Sequence, residues 1–328
     1  MSEWKKTQCN MCVLSCGLEM EVEDGKVLRV RPDKSSPRSH GYMCRKGRTA
    51  QYYLNNPDRL DYPLKKVGDH HERISWEQAL REIGEKCNAI LDAHGPRAFG
   101  LIGGALPSAQ SDLVFARGLM SAIGSQYFFN AIGVEFMGSW WSHGKLFGDQ
   151  MHYLEPDDHN CEMLIFWGSN SYVSGQILNA REVIRKASRG TERMVVAVDP
   201  RLSETAQMAD LHIMPRMGSD AIMLRGMIAL ILRNGWENKE YIRKYVKDLD
   251  AVRPWFDRVD IDACFETAGV TRATMEKFCR LLTTKKWGCH QDLGLFMGRH
   301  NTLNCYLHLM LDVLCRVALV HGGCILPE

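Results

Sequence analysis

The sequence lacks a charge excess: 41 lysines and arginines stand against 39 aspartates and glutamates, a formal net charge of +2 over 328 residues. That balance shows no nucleic-acid or acidic-membrane surface, and no nucleic-acid partner is expected. An uninterrupted apolar run long enough to span a bilayer is also missing. The longest candidate, Leu303 to Val320, carries His308, Asp312 and Arg316 at i, i+4 spacing, which gives a helix there one polar face and argues against a membrane span. No charged n-region, apolar h-region or twin-arginine motif precedes the first cysteines, so the chain as written is expected in the cytoplasm. No Gly-x-Gly-x-x-Gly follows a strand candidate, which excludes a lone dinucleotide fingerprint. Internal repeats and low-complexity tracts are absent too. What remains is an ordinary globular composition, 45% hydrophobic and 24% charged, with a length that suggests about two domains.

Cysteine is not scarce. Of 12 cysteines, Cys9, Cys12, Cys16 and Cys44 fall near the N-terminus, and the others are scattered through apolar segments, where free cysteine is a common packing residue. A disulfide framework suits a short secreted chain, and this chain is neither. The cluster reads Cys-x2-Cys-x3-Cys, then 27 residues, then Cys44. Three closely spaced thiolates can wrap one side of a metal cluster, and a fourth from a distant loop can close the other. Between them, Leu18–Glu23 and Lys26–Arg31 flank Asp24-Gly25, a favoured two-residue hairpin turn that would return the chain toward the first three thiols. A four-cysteine zinc site, a [4Fe–4S] cluster and plain structural cysteines compete here. Zinc sites usually pair two Cys-x2-Cys knuckles. Cys44 has no such neighbour, which favours the cluster.

Further along, Ser75 and Gln78 form a capping box for a helix from about Trp76 to Ala93. Short apolar strands are expected at Ala98–Ile102, Tyr127–Asn130, Met163–Trp167 and Met194–Val198, with helices at 109–122, 176–189 and 219–233. Such alternation implies a doubly wound, mostly parallel sheet. In an open parallel sheet, ligands sit beyond the C-terminal strand ends. Met163–Trp167 runs into Gly168-Ser169-Asn170, where glycine lets backbone approach a pyrophosphate and the polar pair can donate to its oxygens. Met194–Val198 ends in Asp199-Pro200-Arg201, and Gly218-Ser219-Asp220 places a second acid at a helix start. Singly, each is equally good turn or cap chemistry.

Cys9-x2-Cys12-x3-Cys16-x27-Cys44-Arg45-Lys46-Gly47 resembles the opening of molybdopterin oxidoreductases of the dimethyl sulfoxide reductase superfamily. The segments Asp58–Leu64 and Arg73–Leu80 are similar to that family as well, and so is the order of Trp167-Gly168-Ser169-Asn170, Asp199-Pro200-Arg201 and Gly218-Ser219-Asp220. The resemblance implies an α/β fold: a small N-terminal iron–sulfur β-hairpin domain followed by doubly wound, mostly parallel Rossmann-like domains. It divides the chain into a cluster domain at 1–60, the first part of a dinucleotide-cofactor domain at 61–150, a molybdopterin guanine dinucleotide domain at 151–290, and a return into the first α/β domain at 291–328. It implies that Cys9, Cys12, Cys16 and Cys44 hold a [4Fe–4S] cluster and that Lys46 lies between cluster and pterin. By the same resemblance Gly168, Ser169, Asn170, Asp199, Arg201, Gly218 and Asp220 hold the dinucleotide of a cofactor carrying Mo or W. Met217 stands where a glycine or Pro-Gly is more usual.

Many family members add a protein side chain to the metal. The matching turn, Asn130-Ala131-Ile132-Gly133-Val134-Glu135, has no thiol, so no cysteine ligand is expected, and Ala131 stands at the ligand position. The thiol-or-selenol–His pattern of formate dehydrogenases is absent, which counts against formate chemistry. Glu135 and His143 are inward-reaching candidates, the latter as a proton carrier. Gly298-Arg299-His300 resembles a segment near metal and substrate, where Arg299 would anchor a substrate anion and His300 move a proton. The texture is closest to the acetylene hydratase-like and catechol dehydroxylase-like branch. The leading expectation is a Mo or W oxidoreductase subunit acting on a small molecule and exchanging electrons with a carrier protein or iron–sulfur subunit. A non-redox hydratase and a cluster-bearing subunit with no metal of its own are the alternatives. Family members run to roughly twice this length. The Leu303–Val320 helix is therefore expected to leave apolar surface open, in a fragment or in one of two polypeptides sharing a split site.

Overall fold

The computed structural model describes residues 2–325 apart from 13, 104–110, 151–153, 176 and 191. Two compact units divide it, Met1–Ile132 and Gly133–Glu328.

The first unit opens with an antiparallel meander of β1 (Glu3–Gln8), β2 (Gly17–Glu23) and β3 (Lys26–Pro32). The expected hairpin is there. Asp24 and Gly25 both take positive φ, 48° and 76°, as a tight turn matched to strand twist requires. Glu21 pairs with Arg29 and Val22 with Val27, so Leu28 is bulged out of the ladder. A hairpin of β4 (Leu64–Val67) and β5 (His70–Arg73) then leads to α1 (Trp76–His94). Ser75 Oγ accepts from the Gln78 N–H at 3.1 Å, but the Gln78 amide donates to Glu82 Oε1 instead of returning to the cap, so the box is half made. The strand expected from Ala98 starts later. Gly95, at φ 72°, and Pro96 open a 3-10 turn over Pro96–Ala98, and β6 is Leu101–Gly103. It pairs in parallel with β7 (Phe128–Asn130) across α2 (Ser111–Ile123); the expected start of that helix at 109, and Gly104, lie outside the described residues.

The second unit begins with α3 (Met137–Phe147) and a short pair made by β8 (Glu155–Pro156) and β13 (Cys324–Ile325). Its centre is a parallel sheet of β9 (Met163–Trp167), β10 (Met194–Val198), β11 (Leu211–Ile213) and β12 (Trp287–Gln291), in the order β11-β10-β9-β12. All of β9 is buried, and its side chains alternate between two cores. Leu164 and Phe166 pack with Val195 against Val183, Ile184 and Ala187 of α4 (Ala180–Arg189). Met163, Ile165 and Trp167 face α5 (Asp220–Asn234), with α7 (Ile261–Ala268) and α8 (Arg272–Thr284) beyond it. Helices on both faces make the sheet doubly wound. The helix expected over 176–189 starts at Ala180.

The run from Leu303 to Val320 needs correction. Its helix, α9, is Asn301–Leu314, and Arg316 lies past its end at φ 59°. The polar face is not wet: His308 and Asp312 are each 1% exposed, enclosed among the helices and strands of this unit. Nor does α9 leave an open apolar face, because Cys305, Leu307, Leu309, Met310, Leu311 and Leu314 are all buried. Among the described residues no helix is long and apolar enough to cross a membrane.

Candidate functional site

In the first unit, Cys9 directly follows β1 and Cys16 directly precedes β2, so the pairing of these strands sets both thiols at one end of the meander. The Cys9 N–H donates to the Cys16 carbonyl at 2.8 Å and closes the loop between them. Gly17 leaves room for the returning chain: a Cβ there would lie 2.5 Å from Ser36 Cβ, and its N–H donates to Ser39 Oγ at 3.1 Å. Cys44 then precedes a helical turn, Arg45–Arg48, and a Cβ on Gly47 would come within 3.7 Å of Cys9 Sγ. Burial pushes the Cys9 and Cys16 thiols up, Cys16 to about 11, with the neighbouring cysteines adding to the rise. Lys46, exposed, pulls Cys9 down. Cys9 therefore lies within electrostatic reach of Cys12, Cys44 and Lys46, and Cys16 within reach of the other three thiols. Among the described residues no three His, Cys, Asp or Glu side chains converge closely enough for a single metal ion. A cubane with one iron behind each thiolate takes a more open donor set and suits these four thiols.

The second unit presents a different construction. From β9 the chain winds through β10 and β11 on one side, while β12 lies on the other. The crevice beyond the C-terminal ends of β9 and β12 is the topological switch point. Gly168, at φ +61°, sits there back to back with Gly294: a Cβ on Gly168 would lie 2.6 Å from Leu295 N, and one on Gly294 would lie 2.5 Å from Gly168 Cα. The Gly294 N–H donates to the Gly168 carbonyl at 3.0 Å. Ser169 Oγ shares a hydrogen bond with Ser171 Oγ at 2.7 Å and donates to Asp292 Oδ2 at 3.3 Å. Asn170 stitches this loop to the one after β10, its Oδ1 accepting from the Thr205 N–H and hydroxyl and its Nδ2 donating to Glu204. Asp199 Oδ1 accepts from the Arg201 N–H at 2.8 Å, and the Arg201 side chain reaches out toward Glu204. Gly218, at φ +77° with nothing within 4 Å of where a Cβ would stand, forms the turn into α5.

Asp220 is turned inward. It is 8% exposed, and its Oδ1 accepts from the Trp167 indole N–H at 2.8 Å. Burial pushes its carboxyl up, against the pull of the indole hydrogen bond and of His308. His308 lies edge-on to Trp167 and Trp287, with Asp312 Oδ1 3.5 Å from its Nδ1 and the Gln291 amide 2.9 Å from the same nitrogen. Trp167 and Gln291 are the last residues of β9 and β12. A buried polar network thus braces both strand ends just beneath the paired glycines.

Arg299 and His300 are exposed in the loop that opens α9. The next residue, Asn301, donates to the Glu135 carbonyl at 3.0 Å, and Gly138 on α3 passes so close that a Cβ would overlap Asn301 Oδ1. This contact places Glu135 beside the start of α9. Burial, then the charge of Asp292, pushes the Glu135 carboxyl up. Ala131 is exposed in a 3-10 turn. His143 is 3% exposed; its Nδ1 hydrogen bonds the Ser139 carbonyl at 2.8 Å and its Nε2 accepts from the Leu154 N–H at 3.4 Å. Both ring nitrogens of His143 thus engage backbone groups on either side of it.

Sequence reasoning missed Asp292, Gly294, His308 and Asp312 as members of the site. Asp292-Leu293-Gly294 carries the same kind of signal as Gly168-Ser169-Asn170, but β12 itself, Trp-Gly-Cys-His-Gln, has no apolar strand pattern to mark it.

The family profile described as Molybdopterin oxidoreductase matches residues 59–304, and that of the Molybdopterin oxidoreductase Fe4S4 domain matches residues 2–56. A probable oxidoreductase, YyaE of Bacillus subtilis, is 28% identical over 80% of this chain and 39% of its own length. Acetylene hydratase of Syntrophotalea acetylenica is 27% identical over 89% of this chain and 41% of its own. The F420-dependent formate dehydrogenase 2 subunit alpha of Methanococcus maripaludis is 24% identical over 86% and 41%. The solved acetylene hydratase from Pelobacter acetylenicus superposes with a TM-score of 0.84 over 98% of this chain and 44% of that one, at 23% identity. The chain spans about two-fifths of the length of these curated relatives.

Proposed function

Because the chain belongs to the molybdopterin oxidoreductase family, we propose that it is a redox subunit passing electrons between a Mo- or W-bis(molybdopterin guanine dinucleotide) centre and a [4Fe–4S] cluster. The observation that carries this reading is the meeting of Gly168 and Gly294 at the switch point of the sheet. Two glycines back to back leave a crevice floor of bare backbone, which is what close approach of a pyrophosphate demands.

When bound, the two prosthetic groups supply single-electron storage and a metal able to change oxidation state. Cys9, Cys12, Cys16 and Cys44 would hold the cluster, and the Lys46 ammonium would offset negative charge added beside it. Gly168, Ser169, Asn170, Arg201 and Gly218 would hold the phosphates and ribose, with Asp199 and Asp220 toward the guanosine. Asp220 keeps one oxygen on Trp167, so only the other is available to guanine N–H groups. Arg299 and His300, exposed at the mouth of α9, would orient an anionic small molecule and move a proton to or from it. An electron-carrier protein or iron–sulfur subunit is the proposed redox partner. A second polypeptide surface would cover the apolar residues that α1 and α2 leave exposed.

Anaerobic reconstitution with iron and sulfide tests the cluster. The expected product is brown, with a broad band near ~400 nm that Cys44→Ser largely bleaches. A colourless protein holding stoichiometric zinc overturns the assignment. Protein from its native host should contain pterin, and its turnover should require an added dye; dye-independent turnover would instead favour a hydratase.

A further inference from the structure

A second, unrelated cavity lies at the far end of α9. It has a volume of about 890 Å³ and is bounded by the C-terminal end of α3, by α6 (Lys239–Tyr245) and by the loop after α9. The 14 residues of α9 separate it by ~20 Å from Arg299 and His300. Four cations line it: Lys145, Lys244, Lys247 and Arg316. All four are exposed, and none is in an ion pair among the described residues. Glu240 and Asp248 are the acids in the lining, so positive charge is in excess. Like charges gathered around one concavity repel each other, and an anion seated among them removes that repulsion.

The wall also carries two tyrosines with rings 5.0 Å apart. Tyr241 is anchored by its hydroxyl, which donates to the Ala318 carbonyl at 2.8 Å, whereas Tyr245 is 62% exposed, with the Lys244 ammonium 4.9 Å from its ring centroid, so that cation and ring would meet a ligand together. The rim is strained. Asp248, Arg316 and Leu319 are non-glycine residues at φ 60°, 59° and 55°, a conformation that persists where surrounding structure imposes it.

We propose that this cavity binds a nucleoside phosphate, with the phosphates among Lys145, Lys244, Lys247 and Arg316 and the base against Tyr245. A lone phosphate would fill little of the volume and use no aromatic surface, whereas a nucleotide matches the usual range of small-ligand sites. The cavity shares no lining residue with the strand-end crevice.

Calorimetric titration of the full chain with ADP tests it, with inorganic phosphate as the second probe. Saturable ADP binding is expected, weakened at least tenfold in Lys244→Ala/Arg316→Gly. Glycine suits the φ of 59° at position 316, so this variant loses charge without new backbone strain. Tyr245→Ala should weaken ADP and leave phosphate unchanged. The proposal fails if ADP does not saturate, or if the double variant binds normally. It also fails if Asp199→Asn abolishes binding, which would put ADP in the strand-end crevice, or if phosphate binds as tightly as ADP.

Discussion

Two helices of similar length show how differently the two units are built. In α5, eleven of fifteen residues are buried, Met223, Leu224, Met227, Ile228 and Ile231 completely. In α1, nineteen residues long, Ala79 alone is buried, and Trp76, Leu80, Ile83 and Ile90 form an exposed apolar stripe at helical spacing. The same contrast holds for the strands: β9 is enclosed on both faces, while Ile102 of β6, paired with Phe129 of β7, is 86% exposed. Parallel strands are normally covered on both sides. The second unit carries its own core, which fixes the strand ends and the loops that follow them. The first unit has an amphipathic pattern in α1 without a matching cover among the described residues.

The sharpest way to break this comparison is Gly168→Ala. The new Cβ meets backbone at 2.6 Å in a left-handed conformation, so the second unit should lose about 3 kcal/mol, read as a lower denaturant midpoint. An unchanged midpoint would show that the glycine contact is not tight. A subtler probe is Asp220→Asn. Burial raises the folded-state pKa of Asp220, so its carboxyl favours folding while protonated, and that contribution is lost as pH rises through the raised value. The amide keeps an acceptor for Trp167. The variant should therefore unfold at or above the wild-type midpoint at neutral pH, with the gap closing in acid, while binding guanosine cofactor about tenfold more weakly, the loss of one charged hydrogen bond. A lower midpoint with intact cofactor binding would make Asp220 purely structural.

Smaller in effect, Gly84→Ala should stabilise the first unit by about 1 kcal/mol, because the position is inside α1 and a Cβ there meets nothing within 4 Å. Circular dichroism melting checks it. If the variant is instead destabilised, α1 is more closely covered than its exposure indicates.

Much of this was legible before any coordinates. The hairpin at Asp24-Gly25, the helix cap at Ser75, and strands β9 and β10 to the residue follow from local turn chemistry and from runs of β-branched and large apolar residues. The order of the strand-end motifs pointed to the crevice. The three-residue β11 was too short to show a pattern, and β12 hides because Gly288, His290 and Gln291 interrupt its apolar character. Polar residues in a buried strand are tolerated only where tertiary partners exist: His290 meets Asp158, and Gln291 meets His308.

Local sequence was therefore sufficient for the elements whose stability is local. It could not decide which face of α9 was wet. His308 and Asp312 read as a solvent stripe because a polar residue is indistinguishable, by spacing alone, from one paired in the interior. Nor could it reveal that Gly168 needs Gly294, 126 positions later, since the steric demand arises only where β9 and β12 come side by side. Both were settled by the packing of segments distant in the chain, which decides whether a polar group finds a partner and whether two backbones have room for a Cβ.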